Sequence, residues 1–269
     1  GPPIPGGLMR VRELAAALLM GLSIRSVPAA AQRTGDRARL VFTVSGAYIG
    51  GKGLWTVPNQ PVQDVPPADT FSLRRAVRNT LGASFSGTYF PGARVGLTAE
   101  AFLVGLGYED HCGLVGPTQL AQTAQVCRSL DRRKSAAAVT MSVGGIFRVA
   151  SREFISPFAR VGVGVIFTNQ SSLAMSGFSD DGAELLVYDD KKHTRVLPAA
   201  SLGVGATAAF AKAYHMRWEV RDNIIGIEAV TGPTAGAGLI PPHETRFKHL
   251  WSILIGFDVI LERERGRRY

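Results

Sequence analysis

The sequence predicts an all-β chain: a closed, up-and-down antiparallel transmembrane β-barrel of about eight strands. Three observations predict it. Apolar side chains recur at every second position over stretches of the ~9–11 residues that a tilted membrane strand needs. Long and short connections between those stretches alternate strictly, and no stretch approaches the ~18 uninterrupted apolar residues of a spanning helix.

Period two is the strand signature because successive Cβ atoms point to opposite faces. The first stretch sets Leu40, Phe42, Val44, Gly46 and Tyr48 against Thr43 and Ser45. The second sets Leu81, Ala83, Phe85, Gly87 and Tyr89 against Thr80, Gly82, Ser84, Ser86 and Thr88, and the third sets Val95, Leu97, Ala99, Ala101 and Leu103 against Arg94, Gly96, Thr98 and Glu100. The fourth opposes Val139, Met141, Val143 and Phe147 to Thr140, Ser142, Gly144 and Arg148. In the fifth, Ala159, Val161, Val163, Val165 and Phe167 oppose Arg160, Gly162, Gly164 and Thr168. In the sixth, Leu202, Val204, Ala206 and Phe210 oppose Ser201, Gly203, Gly205 and Thr207. The seventh alternates Met216, Trp218 and Val220 with Arg217, Glu219 and Arg221, and the eighth carries Trp251, Ile253, Ile255, Phe257, Val259 and Leu261 against Ser252, Gly256, Asp258 and Glu262.

A water-soluble sandwich produces the same alternation, so the connections decide. Pro91-Gly92-Ala93, Ser151-Arg152-Glu153 and Ala211-Lys212-Ala213 are short; Gly50 to Ala76, Glu109 to Arg133, Asn169 to Lys192 and Thr231 to Thr245 are long. Strict alternation of the two lengths fits extracellular loops on one rim and tight periplasmic turns on the other, and Greek-key links give no reason for it. An even strand count returns both termini to the periplasmic side. Closure is then required, because an open edge in hydrocarbon leaves unpaired amides at several kcal/mol each.

The N-terminus agrees with export. Met9-Arg10-Val11-Arg12, the apolar run Leu14 to Ile24 and the small residues up to Ala31 read as a cleavable signal peptide. The expected organisation is residues 1–31 as upstream extension plus signal peptide, 32–262 as barrel and 263–269 as a charged tail. The net charge of +9 would in a cytoplasmic protein point to nucleic acid, but export removes that partner and leaves two readings, a surface facing anionic lipid headgroups and a solvated basic surface with no partner. Cys112 and Cys127 are expected to form a disulfide, which in an oxidising compartment closes a loop of about 15 residues and stabilises by roughly 3 kcal/mol. Two cysteines make a poor zinc site, which takes four close ligands.

Eight strands make a narrow bore that side chains fill, leaving no wide aqueous channel. The inward face is expected to carry Arg94, Glu100, Arg148, Arg160, Arg217, Glu219, Arg221 and Asp258. These charges must pair with one another, because an unpaired buried charge is strongly unfavourable.

With its signal peptide, dyad strands and alternating loops, the chain resembles the small outer-membrane barrels of the OmpA, OmpX and OmpW type. Gly256, Val259 and Leu261 stand where the C-terminal assembly signal of such proteins has a glycine, a hydrophobic residue and an aromatic one; Leu261 departs from the aromatic, and a charged tail follows it. The resemblance implies a bacterial outer-membrane location, lipid and lipopolysaccharide as surroundings, and the outer-membrane assembly machinery as a partner. It is to members without an appended periplasmic domain.

Some barrels of this kind modify lipid A with a histidine, a serine and a carboxylate. His215 with Arg217 and Glu219 is the nearest set, but no serine adjoins it in its strand; His111, His193 and His243 read as loop residues and His249 beside Trp251 as part of an interfacial girdle. Gly162-Val163-Gly164 and Gly203-Val204-Gly205 open no helix after a parallel strand, so they are strand glycines rather than phosphate loops. Asp180-Asp181 and Asp189-Asp190 have calcium-ligand chemistry, but Lys191 and Lys192 make a solvated charged hairpin the simpler reading. No catalytic, metal or cofactor residue is assigned. Two functions remain: a structural or surface-interaction barrel acting through its long loops, favoured by a polar lumen, and a narrow conduit or binder for a small apolar molecule, for which Leu54, Trp55, Val57, Pro58 and Val62 would line a mouth. A soluble lipocalin-like carrier would need the apolar rows to face inward.

Overall fold

A computed structural model describes residues 39–61, 70–116, 124, 127–128, 133–149, 154–168, 174–178, 184–189, 196–211, 213–234 and 240–262. They form twelve strands: β1 (Arg39–Ile49), β2 (Lys52–Pro61), β3 (Thr70–Val77), β4 (Thr80–Phe90), β5 (Val95–Val115), β6 (Arg133–Arg148), β7 (Ile155–Thr168), β8 (Ala174–Phe178), β9 (Glu184–Asp189), β10 (Val196–Ala211), β11 (Tyr214–Val230) and β12 (His243–Glu262). Eight of them close a ring, β1-β4-β5-β6-β7-β10-β11-β12 and back to β1, every pair antiparallel. These eight contain the eight stretches read from the alternation.

The closing pair runs without a break from Arg39↔Glu262 to Ile49↔Ser252. The eleven residues of β1, at about 3.3 Å each and tilted roughly 40°, rise about 28 Å, close to the ~25 Å apolar band of a membrane barrel. Burial alternates strictly along β1, with Leu40, Phe42, Val44 and Tyr48 exposed and Val41, Thr43, Ser45, Ala47 and Ile49 buried.

Two of the long connections are not plain loops. β2 and β3 form a hairpin that extends the walls of β1 and β4 past the ring, and β3 pairs with the far half of β5 from Tyr108 to Val115. Leu54, Trp55, Val57, Phe71 and Leu73 are buried beneath it, whereas Pro58 is exposed and Val62 lies outside the described residues. Bulges between Gly53 and Trp55 and between Val57 and Gln60 shift the parity, which is why these residues do not read as a strand in the sequence. The outer edge of β2 carries Pro58 and Pro61, and Asn59 adopts φ 56°; such an edge is a poor template for stray pairing. Its far end is clasped by Gln60, whose Oε1 accepts from Thr234 N at 2.9 Å and whose Nε2 donates to Thr234 Oγ1 at 3.0 Å. The third long connection holds the separate hairpin β8–β9. Of the second, the described part includes Cys112 on β5 in a disulfide with Cys127, their Cα atoms 5.3 Å apart.

The expected signal peptide, residues 263–269, the turn Ser151 to Glu153, His193 and the aspartates Asp180, Asp181 and Asp190 lie outside the described residues. One sequence-based placement is corrected. Arg94 has the parity of the lumen face, but it sits in the turn before β5 begins at Val95 and is exposed; only its carbonyl is engaged, accepting from Arg148 N at 2.8 Å.

Inside the ring, neighbouring strands approach closely. A Cβ on Gly164 would fall on the Met141 carbonyl oxygen, and one on Gly144 on that of Val161. Gly164→Val is therefore expected to block closure between β6 and β7 and to abolish the heat-shifted folded band of detergent-refolded protein on electrophoresis; an undiminished band would contradict this packing.

Candidate functional site

The interior of the barrel is the only large buried polar surface among the described residues, and it is built in layers. Across the middle runs a charge layer. Glu100 on β5 accepts from Arg160 Nη2 on β7 at 2.8 Å, from Arg221 Nη1 on β11 at 2.9 and 3.0 Å, and from the Ser84 hydroxyl on β4. Glu219 on β11 accepts from Arg221 Nε at 2.8 Å and Arg217 Nη2 at 2.7 Å. Residues 217, 219 and 221 share the inward face of one strand by period two, so an Arg-Glu-Arg ladder is written directly into β11.

Towards the short turns, Asp258 on β12 is fully buried and accepts from Thr43 Oγ1 on β1 at 2.7 Å; Arg217 Nη1 and Arg148 Nη2 each stand 3.8 Å from its oxygens. Arg148 and Arg217 also stack on Phe90 and Phe158, at 4.0 and 4.1 Å from the ring centroids. The structure thus brings together seven of the eight charges placed in the lumen from sequence, Arg94 being the exception. Strand β10 contributes room instead of charge: a Cβ on Gly203 would stand 2.5 Å from Glu219 Oε1.

Multiple donors per carboxylate matter because taking a charge out of water costs several kcal/mol unless partners and hydrogen bonds replace the solvent. Here each of Glu100 and Glu219 accepts hydrogen bonds from two guanidiniums, and Arg160 Nη1 also stands 3.8 Å from Glu219. Removing both carboxylates strands Arg160 and Arg221, a loss of about 3–5 kcal/mol. Glu100→Gln with Glu219→Gln should therefore destabilise the refolded barrel to urea by about that amount, while adding Arg160→Met and Arg221→Met recovers part of it; equal loss in the double and quadruple variants would show that the ion pairs are not the cause.

The loop-side half of the interior is different, and corrects the expectation of a lumen polar throughout. Ile49, Phe102, Val104, Leu106, Ile166, Leu197, Ile225, Ile227, Leu250 and Leu254 pack there into one buried apolar cluster continuous with Leu54, Trp55, Val57, Phe71 and Leu73 under the β2–β3 hairpin. The sequence reading stopped the inward face of β5 at Glu100, but the strand runs on to Val115 and turns Phe102, Val104, Leu106 and Tyr108 inward. Between the two halves lies a cavity with about 20 Å³ open to the centre of a water-sized sphere, floored by Glu100 and Arg221 and walled by Ile49, Phe102, Val104, Ile166 and Ile225. Ser201, whose Oγ is buried without a hydrogen-bond partner, lines it too. A space of that size holds about one water.

Past the apolar belt, Arg75 on β3 forms a forked bond to Asp110 on β5, at 2.6 and 2.9 Å, and lies 4.9 Å from the Tyr108 ring centroid and 5.9 Å from that of Trp55. Burial pushes the Tyr108 phenol up from 10.0 to about 12, with Arg75 opposing and Asp110 assisting. A raised phenol favours the fold's neutral tyrosine, so stability is intact below pH 10 and is lost as the pH rises through 10 towards 12. Spectrophotometric titration of the chain's six tyrosines should show a component near 12 that Tyr108→Phe removes; ionisation of all of them near 10 would contradict the burial.

His215 faces Asp258 in register on the turn side, and His249 Nδ1 sits 2.7 Å from Asp222 Oδ2 on the outer face. Among the described residues no group of three or more His, Cys, Asp or Glu side chains is placed to hold a metal.

A closed ring, a charged and largely filled interior, and an outer surface of exposed Phe42, Leu81, Phe85, Leu97, Val143, Phe147, Val163, Leu202, Val204, Ile253, Ile255 and Phe257 define a transmembrane β-barrel. A soluble protein rarely exposes apolar surface of this extent, and only closure satisfies every strand in hydrocarbon. No family model and no curated relative matches the chain. It is similar in structure to outer membrane protein OprG from Pseudomonas aeruginosa (10% identity over 84% of this chain and 97% of that one, TM-score 0.48). It is also similar to outer membrane protein AlkL in DMPC lipid bilayers (13%, 86% and 93%, TM-score 0.43). A third similar structure is Ail of Yersinia pestis in complex with the heparin analogue sucrose octasulfate (10%, 84% and 99%, TM-score 0.38).

Proposed function

We propose that this chain is a non-conducting β-barrel of the bacterial outer membrane whose role is structural or adhesive, exercised by the loop-side extension. The observation that carries this reading is the charge layer: Glu100, Arg160, Arg217, Glu219 and Arg221 bridge the bore from β5 to β7 and β11, and the adjoining cavity has room for about one water. Such a bore offers no path for solutes. The rigid β2–β3 hairpin, the far half of β5 and the disulfide at Cys112 hold surface outside the membrane, as a contact platform requires. Export by a signal peptide would leave both ends of the ring, where Arg39 pairs with Glu262, on the periplasmic side with the short turns. Lipid, lipopolysaccharide and the outer-membrane assembly machinery are the partners this setting implies.

A second reading is supported by the apolar loop-side compartment. Ile49, Phe102, Val104, Ile166, Ile225 and Leu250 give the space above the charge layer the apolar lining that a small apolar molecule would need; as packed it holds about one water, so such a ligand would bind by displacing these side chains, and with the bore shut beneath it would not pass along the axis.

Planar-bilayer recording decides between a plugged and an open bore. Wild-type protein is expected to give no unitary current steps, because the charge layer and the packed apolar half above it both close the bore. Steady currents from the wild type would overturn the non-conducting reading.

A further inference from the structure

The wall of the barrel is hydrogen-bonded all round only up to a certain height. β1 and β12 pair as far as Ile49↔Ser252, with one more bond from Gly50 N to Trp251 O at 2.8 Å. Above that level β2 pairs with β3 alone and residues 243–250 of β12 pair with β11 alone, so one edge of β12 is left open. Alternation fixes which backbone groups point to this edge. Trp251 turns its carbonyl to β1, whereas Pro242 and Ile260 are bonded on the β11 side, through Thr231 N to Pro242 O and Ile260 N to Ala213 O, both at 2.9 Å. Odd-numbered residues of β12 therefore present their N–H and C=O to the open edge. Among the described residues, no strand lies beside those of Thr245, Phe247 and His249. Such an edge is excluded in hydrocarbon but tolerated above it, where water solvates the groups.

Side-chain parity gives the edge two different faces. Thr245, Phe247 and His249 lie in the outward row of β12 with Trp251 and Ile253, and Phe247 is exposed. Arg246 and Lys248 lie in the inward row with Leu250, Ser252 and Leu254 and face the barrel mouth. Lys52, in register with inward Val77, faces the mouth from the foot of β2. The three cations are close enough to act on one another: partial burial lowers the Lys248 ammonium from its ordinary value, and Lys52 and Arg246 lower it further by repulsion. The neighbouring carboxylate on the same row, Glu244, is engaged with Arg246 at 3.1 Å. Among the described residues, neither Lys52 nor Lys248 meets a carboxylate.

We infer that the open edge of β12 takes up an extended acidic segment of a partner protein as an added strand. The N–H and C=O groups of Thr245, Phe247 and His249 bond to its backbone, and its carboxylates stand at alternate positions opposite Arg246 and Lys248. In this mode of recognition backbone pairing supplies affinity and alternate side chains supply selectivity. A strand that continues the antiparallel order sets its side chains directly opposite those of β12 on the same face, where opposite charges attract and like charges repel. Cations along an edge turn away basic and indiscriminate strands. Three cations against the single carboxylate of Glu244 favour a segment whose mouth-facing side chains are acidic, and Phe247 favours an apolar residue on the other face. The inference rests on the reading of this chain as a membrane barrel with a contact platform outside the membrane, and adds the kind of partner that the platform takes.

The test uses the full chain refolded into phosphatidylcholine nanodiscs and a fluorescein-labelled peptide of alternating glutamate and valine, with the lysine–valine peptide as reference. Fluorescence anisotropy is expected to show saturable binding of the acidic peptide and none of the basic one. Arg246→Gln with Lys248→Gln should weaken binding by up to about fivefold per charge removed. Phe247→Pro removes an edge-facing N–H and no bond of the β11 ladder, the setting in which strands tolerate proline; it should abolish binding while the heat-shifted band persists. Amide exchange followed by NMR is a second measurement: Thr245, Phe247 and His249 are expected to exchange rapidly in the free protein and to become protected by the acidic peptide. Protection in the free protein would show that the chain itself covers the edge and would overturn the site, as would equal binding of the two peptides or binding unmoved by Phe247→Pro. Loss of the heat-shifted band in the wild type overturns the barrel and the site with it, whereas a band without peptide binding overturns the site alone.

Discussion

A sheet placed in hydrocarbon can have no edge, and the rest of this structure follows from that constraint. The uninterrupted pairing of β1 with β12 removes the edge, and an antiparallel ring of eight strands is the outcome. Closure at eight strands fixes a bore too narrow to stay empty. It also decides the chemistry of each strand twice over: outward residues must suit lipid, and inward residues must fill a shared space. Glycine becomes a packing residue where two backbones or a long side chain claim the same volume, as at Gly164 beside Met141 and at Gly203 beside Glu219.

The charge layer is compatible with this confinement because it is shared. Seven charges drawn from five strands leave no single carboxylate dependent on a single guanidinium at hydrogen-bonding distance in the central pair Glu100 and Glu219. Above it the same inward faces turn apolar, so one strand such as β5 carries Thr98 and Glu100 in the polar zone and Phe102, Val104 and Leu106 in the apolar one. The bore is a stack of compartments rather than a tube, and solute passage and ligand binding become separate questions for its two halves.

The ring was legible in the sequence because each of its strands keeps strict period two across the membrane, so parity alone separates Phe42 and Val44 from Thr43 and Ser45. Parity also gathered Arg217, Glu219 and Arg221 on one face. It could not say which charges meet across the bore, since that depends on the stagger of eight strands, nor where a strand begins, and Arg94 was misplaced for that reason. The β2–β3 hairpin escaped because two bulges, Pro58 and the positive φ of Asn59 break the alternation. The apolar upper half escaped because β5 and β11 continue past the point at which their outer faces cease to look lipid-facing: Gly105 and Gly107 replace the large outward residues of β5 while its inward row carries on.

The Gln60–Thr234 clasp bears on the order in which the molecule is completed. Its two halves come from opposite ends of the chain, 174 residues apart, one at the tip of the first hairpin and the other just after β11. A chain that has laid down only its early strands has the glutamine in place with nothing to grasp. The clasp therefore needs β11 and the residues after it in place before it can form, and it ties the first hairpin to the end of the ring.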